Sequence, residues 1–285
     1  MTTVLVTGAD GQLGQCIQNI THQFPSLDFL FADRNTLDIT VANDVLDFFE
    51  TNAIDWCINC AGYTAVDNAE NDQENAYKVN SIGAKNMAQA CQKNDVKMVH
   101  ISTDFVFDGL KTTPYTELDK TNPVNVYGES KLKGENEIKQ ILDKHFIIRT
   151  SWLYSEYGNN FMKTMLGLAQ DRQELSVVND QLGTPTYAGD LARVVLNIIK
   201  LRSQDYGVYH YSNEGITSWF EFAKAIFEES NIELYIIPIE TKDYPTLTKR
   251  PRYSVLDKSK IKKMLNVEIL DWRQSLRKAL LKLNL

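Results

Sequence analysis

No apolar run in this 285-residue sequence approaches the roughly 18 residues that a membrane-spanning helix needs. The N-terminus goes straight into Thr2-Thr3-Val4-Leu5-Val6-Thr7, which reads as a strand and not as a signal peptide. The chain is therefore expected in the cytoplasm, away from any membrane. No block of basic residues occurs and the net charge is -7, so nothing favours a nucleic-acid partner. Cysteine and histidine are scarce, at four each. Cys57 and Cys60 have the C-x-x-C form but fall in the apolar run Ile54 to Ala61, a buried strand on which positions three apart face opposite sides. They cannot easily share a metal, and Cys16 and Cys91 do not supply the second pair of a zinc site. His22, His100, His145 and His210 show no ligand spacing either. His100 reads as a packed core residue, and no metal is expected. Internal repeats and low-complexity segments are also missing.

What is present is an alternation. Apolar and charged fractions of 43% and 24% are ordinary for a globular protein of one large domain or two. Val4 to Thr7 is followed by Gly8-Ala9-Asp10-Gly11-Gln12-Leu13-Gly14 and then a helical pattern through Ile17 and Ile20. Strand, glycine turn and helix in that order suit a dinucleotide. One glycine makes the turn, one admits the pyrophosphate, and one lets helix and strand pack closely. The spacing is G-x-x-G-x-x-G, and glycine turns also occur for structural reasons alone.

Leu27 to Ala32 reads as the second strand, ending at Asp33-Arg34. An acid there takes ribose hydroxyls, whereas the arginine suits a 2′-phosphate, so the pair leaves NADH and NADPH both open. Asp38-Ile39-Thr40 opens a helix, with Thr40 as its N-cap. Ile54 to Cys60 is a strand leading into Ala61-Gly62-Tyr63. Val66 to Asn94 reads as helical, and Val96 to Ile101 as a strand ending in Ser102-Thr103-Asp104. A long polar loop follows, to Asn122. Asn122-Pro123 opens the next helix, and Phe146 to Arg149 is the next strand. Strands alternating with helices predict an α/β fold: a Rossmann-like, doubly wound parallel sheet. On such sheets ligands bind beyond the carboxyl ends of the strands, where the glycine turn, Asp33, Ala61 to Tyr63 and Thr103 all fall.

Tyr127 and Lys131 are four apart and share a helix face. A nearby ammonium favours the phenolate, which predicts a Tyr127 phenol brought down toward neutrality and usable as a proton donor. Thr103 can hold a carbonyl oxygen beside it. The plain alternative for a short Y-x-x-x-K pattern is a surface tyrosine and lysine.

The second half is less regular. Phe161 to Gln170, Asp190 to Leu201, Trp219 to Glu229, Ile261 to Leu265 and Trp272 to Leu283 read as helices. Asn179 to Pro185 is a polar loop, Val208 to Tyr211 a strand returning to the sheet, and Pro238 to Tyr253 a proline-bearing loop. The division expected is a dinucleotide-binding domain over 1–150, to which 187–212 returns. A smaller α/β substrate lobe then comprises 151–186 and 213–285.

The glycine turn, Asn59-Cys-Ala-Gly62, the serine–threonine strand end and Tyr127-x-x-x-Lys131 together resemble the extended short-chain dehydrogenase/reductase superfamily. Ser102-Thr-Asp-Phe-Val-Phe107, Asn125-Val-Tyr-Gly-Glu-Ser-Lys131, Arg149-Thr-Ser-Trp-Leu-Tyr154, Gly158-Asn-Asn-Phe161, Asn179-Asp-Gln-Leu-Gly-Thr-Pro185 and Arg250-Pro-Arg-Tyr-Ser254 narrow the resemblance. They are similar to the dTDP-4-dehydrorhamnose reductase family across nearly the whole chain. That resemblance implies NAD(P)H-dependent reduction of the C4 ketone of a dTDP-sugar, with Thr103, Tyr127 and Lys131 catalytic. It places the cofactor on the glycine turn, on Asp33 and Arg34, on Asp38 and Ile39, on Ala61 to Tyr63, and on Tyr127 and Lys131. NADPH is favoured through Arg34, with NADH also accepted. Thr103, Asp104, Tyr127, Trp152 and Arg250 are implied at the sugar nucleotide, although Trp152 also suits core packing and Arg250 a solvated loop. Some family members dimerise through a metal held by glutamates. This chain has Cys16 and Gly189 at those positions, so a monomer or weak homodimer is expected. The rivals are another nucleotide-sugar 4-ketoreductase and a non-catalytic subunit similar to the β subunit of methionine adenosyltransferase.

Overall fold

The computed structural model describes residues 1–283. The first half runs β1 (Thr2–Thr7), α1 (Gln12–Ile20), β2 (Leu27–Ala32), α2 (Ala42–Thr51), β3 (Trp56–Asn59), α3 (Gln73–Tyr77), α4 (Ala84–Lys93), β4 (Lys97–Thr103), α5 (Val126–Ile141) and β5 (His145–Thr150). The second half is more broken: β6 (Leu153–Tyr154), α6 (Phe161–Leu168), β7 (Glu174–Val178), β8 (Leu182–Gly183), β9 (Thr186–Tyr187), α7 (Ala188–Lys200) and β10 (Gly207–His210). It closes with β11 (Thr217–Ser218), α8 (Trp219–Glu229), β12 (Tyr235–Ile239), α9 (Ser259–Leu265) and α10 (Trp272–Lys282).

Six strands form one sheet in the order β10-β5-β4-β3-β1-β2, and every pairing in it is parallel. Such a sheet is stable only with both faces covered, and alternation along the strands supplies two apolar faces. Val4, Val6, Ile58 and Ile148 point to one side and pack with α1, α7 and α9. Leu5, Cys57, Met98 and Ile147 point to the other and pack with α2, α4 and α5. The doubly wound fold expected from the alternation is therefore present. Strand order reverses at β1, which pairs with β2 on one side and β3 on the other. The crevice opens at that reversal. A separate apolar cluster, including Tyr154, Met162, Phe222, Ile226, Trp272 and Leu276, joins α6, α8 and α10. The parallel pair β7–β12 lies against it.

Four sequence expectations need correction. Thr40 does not cap α2; Asp38 accepts from Thr40 N at 2.9 Å and Thr40 Oγ1 at 2.7 Å, and the helix starts at Ala42. Pro123 does not open α5; Asn125 does, its Oδ1 accepting from Gly128 N at 2.8 Å. The stretch Val66 to Asn94 is not one helix. It contains a 3-10 turn, α3, a π-helical segment from Lys78 to Gly83, and α4. The π segment presents Asn80, whose Oδ1 accepts from Tyr63 N at 2.8 Å and whose Nδ2 donates to Ser130 Oγ at 3.0 Å. That ties the Tyr63 loop to α5, a use typical of such bulges. Finally, the loop read over Pro238 to Tyr253 begins inside β12, where Pro238 pairs with Val177 in a two-stranded sheet. Such an edge has no second neighbour for the missing N–H to serve.

Candidate active site

A cavity of about 840 Å³ opens at the carboxyl ends of β1, β3 and β4 and continues toward the lobe around α6 and α8. The glycine turn forms one end. Gly8 has φ +61°, and a Cβ there would sit 2.7 Å from Ala61 N, so β1 and β3 can approach only with glycine in that place. Asp10, Gly11, Gln12 and Leu13 line the cavity with Gly8. Gly14 does not; it packs against Ala9 behind the turn. Across the turn, Gln12 Oε1 accepts from Ser155 Oγ at 2.9 Å and Asn160 Nδ2 at 3.0 Å. The segment carrying Gly158 and Asn159 is thereby held beside the exposed amides of α1.

Arg34, Asp38, Ile39, Ala61, Gly62 and Tyr63 also line the cavity. Asp33 does not. Its Oδ1 accepts from Thr36 N and Thr36 Oγ1, both at 2.7 Å, and these bonds hold its carboxyl below the usual carboxylate range. The neighbouring Arg34 side chain is 81% exposed, with Nε 3.5 Å from Asp38 Oδ2. Of that pair, the arginine is the one at the cavity.

Thr103, Asp104, Tyr127 and Lys131 meet in its middle. Thr103 is the last residue of β4, and its Oγ1 accepts from Phe105 N at 3.2 Å, closing the strand into a 3-10 turn. The same hydroxyl donates to Asp104 Oδ1 at 3.1 Å. Asp104 is buried and its Oδ2 has no hydrogen-bond partner. Burial raises its carboxyl to about 6, against the lowering effect of the Ser254 and Thr103 hydroxyls.

The Lys131 ammonium donates to the Ile101 carbonyl at 2.6 Å. Burial draws it down to about 8, against the raising effect of the Glu135 carboxylate. The Tyr127 phenol behaves differently from the sequence expectation. Burial raises it to about 12; the hydrogen bond with Thr103 lowers it and the Asp104 charge raises it again. Lys131 is not among the groups that move it, and its ammonium donates to a backbone carbonyl. The phenol is therefore firmly protonated at neutral pH.

On the lobe side Trp152 lines the cavity with backbone φ +46°. Its indole is stacked on Trp219, with centroids 3.5 Å apart and planes 9° apart. A Cβ on Gly183 would lie 2.6 Å from the Trp152 ring, so the indole is held between a glycine and a second tryptophan. Trp219, Phe161 and Asn159 were not among the expected site residues. Arg250 reaches the cavity wall, where its Nη2 pairs with Asp67 Oδ2 at 2.6 Å.

His100 is a packed core residue, as expected. It is buried beside the site, its Nδ1 is 3.1 Å from Asn59 Nδ2, and its Nε2 has no partner. Cys57 and Cys60 pack on opposite faces of the sheet. Among the described residues no group of three or more His, Cys, Asp or Glu side chains could hold a metal, and no helix is long and apolar enough to cross a membrane.

A family model described as RmlD substrate binding domain matches residues 1–285. A dTDP-4-dehydrorhamnose reductase of Aggregatibacter actinomycetemcomitans is 42% identical, with 97% of this chain and 98% of that protein covered. The crystal structure of a dTDP-4-dehydrorhamnose reductase from Clostridium acetobutylicum superposes with a TM-score of 0.95 at 42% identity, covering 100% of both chains. The enzyme of the same name from Bacillus anthracis, solved in complex with NADP, gives a TM-score of 0.95 at 40% identity, with 99% of this chain and 100% of that chain covered.

Proposed function

The chain belongs to the dTDP-4-dehydrorhamnose reductase family, and on that premise we propose that its central cavity reduces the C4 ketone of dTDP-4-dehydro-β-L-rhamnose to dTDP-L-rhamnose. The observation that carries this is the meeting of Thr103, Tyr127 and Lys131 between a glycine turn and a tryptophan-walled lobe.

The cavity fits a dinucleotide. The turn at Gly8 and Gly11 leaves backbone room beside the N-terminus of α1, where amides favour a pyrophosphate. Arg34 suits a 2′-phosphate, which supports NADPH; with Asp33 occupied by Thr36, NADH lacks its expected acid but keeps the rest of the site. When bound, the cofactor supplies a hydride.

The chain's own residues do the rest. Thr103 holds the ketone oxygen by its hydroxyl, and Tyr127 gives that oxygen a proton. The phenol is protonated at neutral pH, so it holds the proton that the oxygen takes up as the hydride arrives. Lys131 fixes the nicotinamide ribose and supplies positive charge next to the reacting atoms. Asp104 faces the sugar, the Trp152–Trp219 stack walls it, and Arg250 meets the diphosphate. We place the enzyme in the cytoplasm, as a monomer or weak homodimer.

The test is Tyr127→Phe, which keeps the ring and removes the proton. Turnover should fall by ~10²–10⁴-fold with NADPH still bound. Near wild-type turnover would remove Tyr127 from the reaction, and absence of turnover in the unmodified protein would favour a non-catalytic subunit.

A further inference from the structure

Behind the reacting residues lies a buried ion pair that the reaction above does not use. Glu135 is fully buried and stands one turn beyond Lys131 on α5. Its Oε1 accepts from Ser102 Oγ at 2.6 Å and from Arg149 Nε at 2.8 Å, and its Oε2 accepts from Arg149 Nη2 at 2.7 Å. Arg149 on β5 sits directly opposite Ser102 on β4 and is stacked over Phe107, with its guanidinium carbon 5.2 Å from the ring centre. Ser102 lies between Ile101, whose carbonyl receives Lys131, and Thr103. One carboxylate thus joins the helix that carries Tyr127 and Lys131 to the strand end that carries Thr103.

A buried pair of this kind is weak evidence for stability, because desolvation offsets its attraction. Its place is more informative than its strength. The groups facing it are few. Lys139, on the same helix, is 3.2 Å from Glu135 Oε2. His145 and His210, from β5 and β10, are both drawn below the ordinary histidine value by burial, His210 to about 3. Lys131 itself faces Glu135, the Cys60 thiol and His100, and burial holds both of those last groups neutral. Glu135 is therefore the nearby negative charge that acts on the Lys131 ammonium.

We propose that Glu135 is a positioning residue for the reduction: clamped by Arg149, it fixes the Ser102–Thr103 strand end against α5 and sets a negative charge one turn from the Lys131 ammonium. This rests on the roles given above to Thr103 and Lys131.

The test replaces the pair together, as Glu135→Leu with Arg149→Met, so that no buried charge is left unpaired. Steady-state kinetics with dTDP-4-dehydro-β-L-rhamnose and NADPH are measured across pH. The expected result is a kcat lower by about tenfold or more, with KM and the Kd for NADPH within about twofold of wild type. The alkaline limb of the kcat profile should also move down by roughly half a pH unit or more, because the carboxylate that keeps Lys131 charged is gone. Ser102→Ala is the second variant. It cuts only the tie to the strand, so kcat should fall by roughly 3- to 10-fold at constant KM, with the alkaline limb unmoved. Wild-type kcat in either folded variant overturns the proposal, and if the double variant does not fold, Ser102→Ala decides. Lys131→Met is run beside them. Normal turnover there overturns the site reading itself, whereas an inactive Lys131→Met beside wild-type kcat in the other two overturns only the role of Glu135.

Discussion

Arg250 Nη2 stands 2.6 Å from Asp67 Oδ2, while Asp67 Oδ1 is buried without a hydrogen-bond partner. The pair holds the loop after β12 against the segment before α3, helped by Thr248 Oγ1 on the Val66 carbonyl at 3.1 Å and Asn125 Nδ2 on the Lys249 carbonyl at 2.9 Å. Arg250 commits one N–H to Asp67 and keeps others for the cavity. A sugar-nucleotide diphosphate competes with Asp67 for the same planar fork. Arg250→Ala should raise KM for the sugar nucleotide by roughly tenfold or more and leave kcat nearly constant, because the contact exists in ground and transition states alike. The Kd for NADPH, read by calorimetry, should not move. Asp67→Asn should shift KM the other way. An unchanged KM in Arg250→Ala would send the search for the diphosphate partner elsewhere in the lobe.

Gly11 tests the glycine turn. Its φ of -76° is open to any residue, and a Cβ would meet only the Gly8 carbonyl, at 3.2 Å. Gly11→Val should therefore fold, with a Tm near wild type, yet bind NADPH at least about tenfold more weakly, since the side chain enters the space of the pyrophosphate. Gly8→Val is the contrast: with φ +61° and Ala61 N at 2.7 Å, it should lower Tm sharply. Equal NADPH affinity in Gly11→Val and wild type would make the turn structural only.

The pH dependence has two limbs. Asp104 titrates near 6, raised by burial, and Lys131 near 8, lowered by burial. Protonating Asp104 removes the carboxylate that faces the sugar, so kcat/KM should fall as pH drops through about 6. Deprotonating Lys131 removes the positive charge, so it should fall again as pH rises through about 8. Asp104→Asn should abolish the acid limb and keep the alkaline one. A profile flat between pH 5 and 9 would contradict both assignments, a window of roughly one unit on each side of the two values.

Glu135 gives a stability counterpart. Chiefly through Arg149, its carboxyl is held at about 2, below the ordinary 4.5. A lowered acid contributes stability that is whole above the unfolded value and is lost as pH falls through the folded one. Tm should therefore decline between 4.5 and about 2 more steeply in wild type than in the double variant lacking Glu135 and Arg149. Parallel declines would mean that other carboxylates govern acid unfolding.

The sheet and the presence of Thr103, Tyr127 and Lys131 in one cavity were legible because each rests on local pattern. β-branched runs, a glycine turn and a four-residue Tyr–Lys spacing mean the same thing wherever the strands end. What was not legible depends on partners far away in sequence. Trp219 sits at the start of an amphipathic helix, and nothing in its spacing reveals that it stacks on Trp152. Asp67 has no motif that names Arg250. That Asp33 stays out of the cavity lining has a local cause instead: Thr36, three residues on, captures its carboxylate. The direction of the Tyr127 phenol was misread because a helix spacing says which face Lys131 shares, not how deeply the phenol is buried.

Hydride delivery to C4 of the dTDP-keto sugar within this cavity is the step on which the roles of Thr103, Tyr127 and Lys131 depend. It is tested most directly by incubating the protein with dTDP-4-dehydro-β-L-rhamnose and NADPH deuterated at the transferable nicotinamide position, then reading the product by NMR. The expected product is dTDP-L-rhamnose with deuterium at C4. Deuterium elsewhere, the C4 epimer as product, or no nicotinamide oxidation would contradict it.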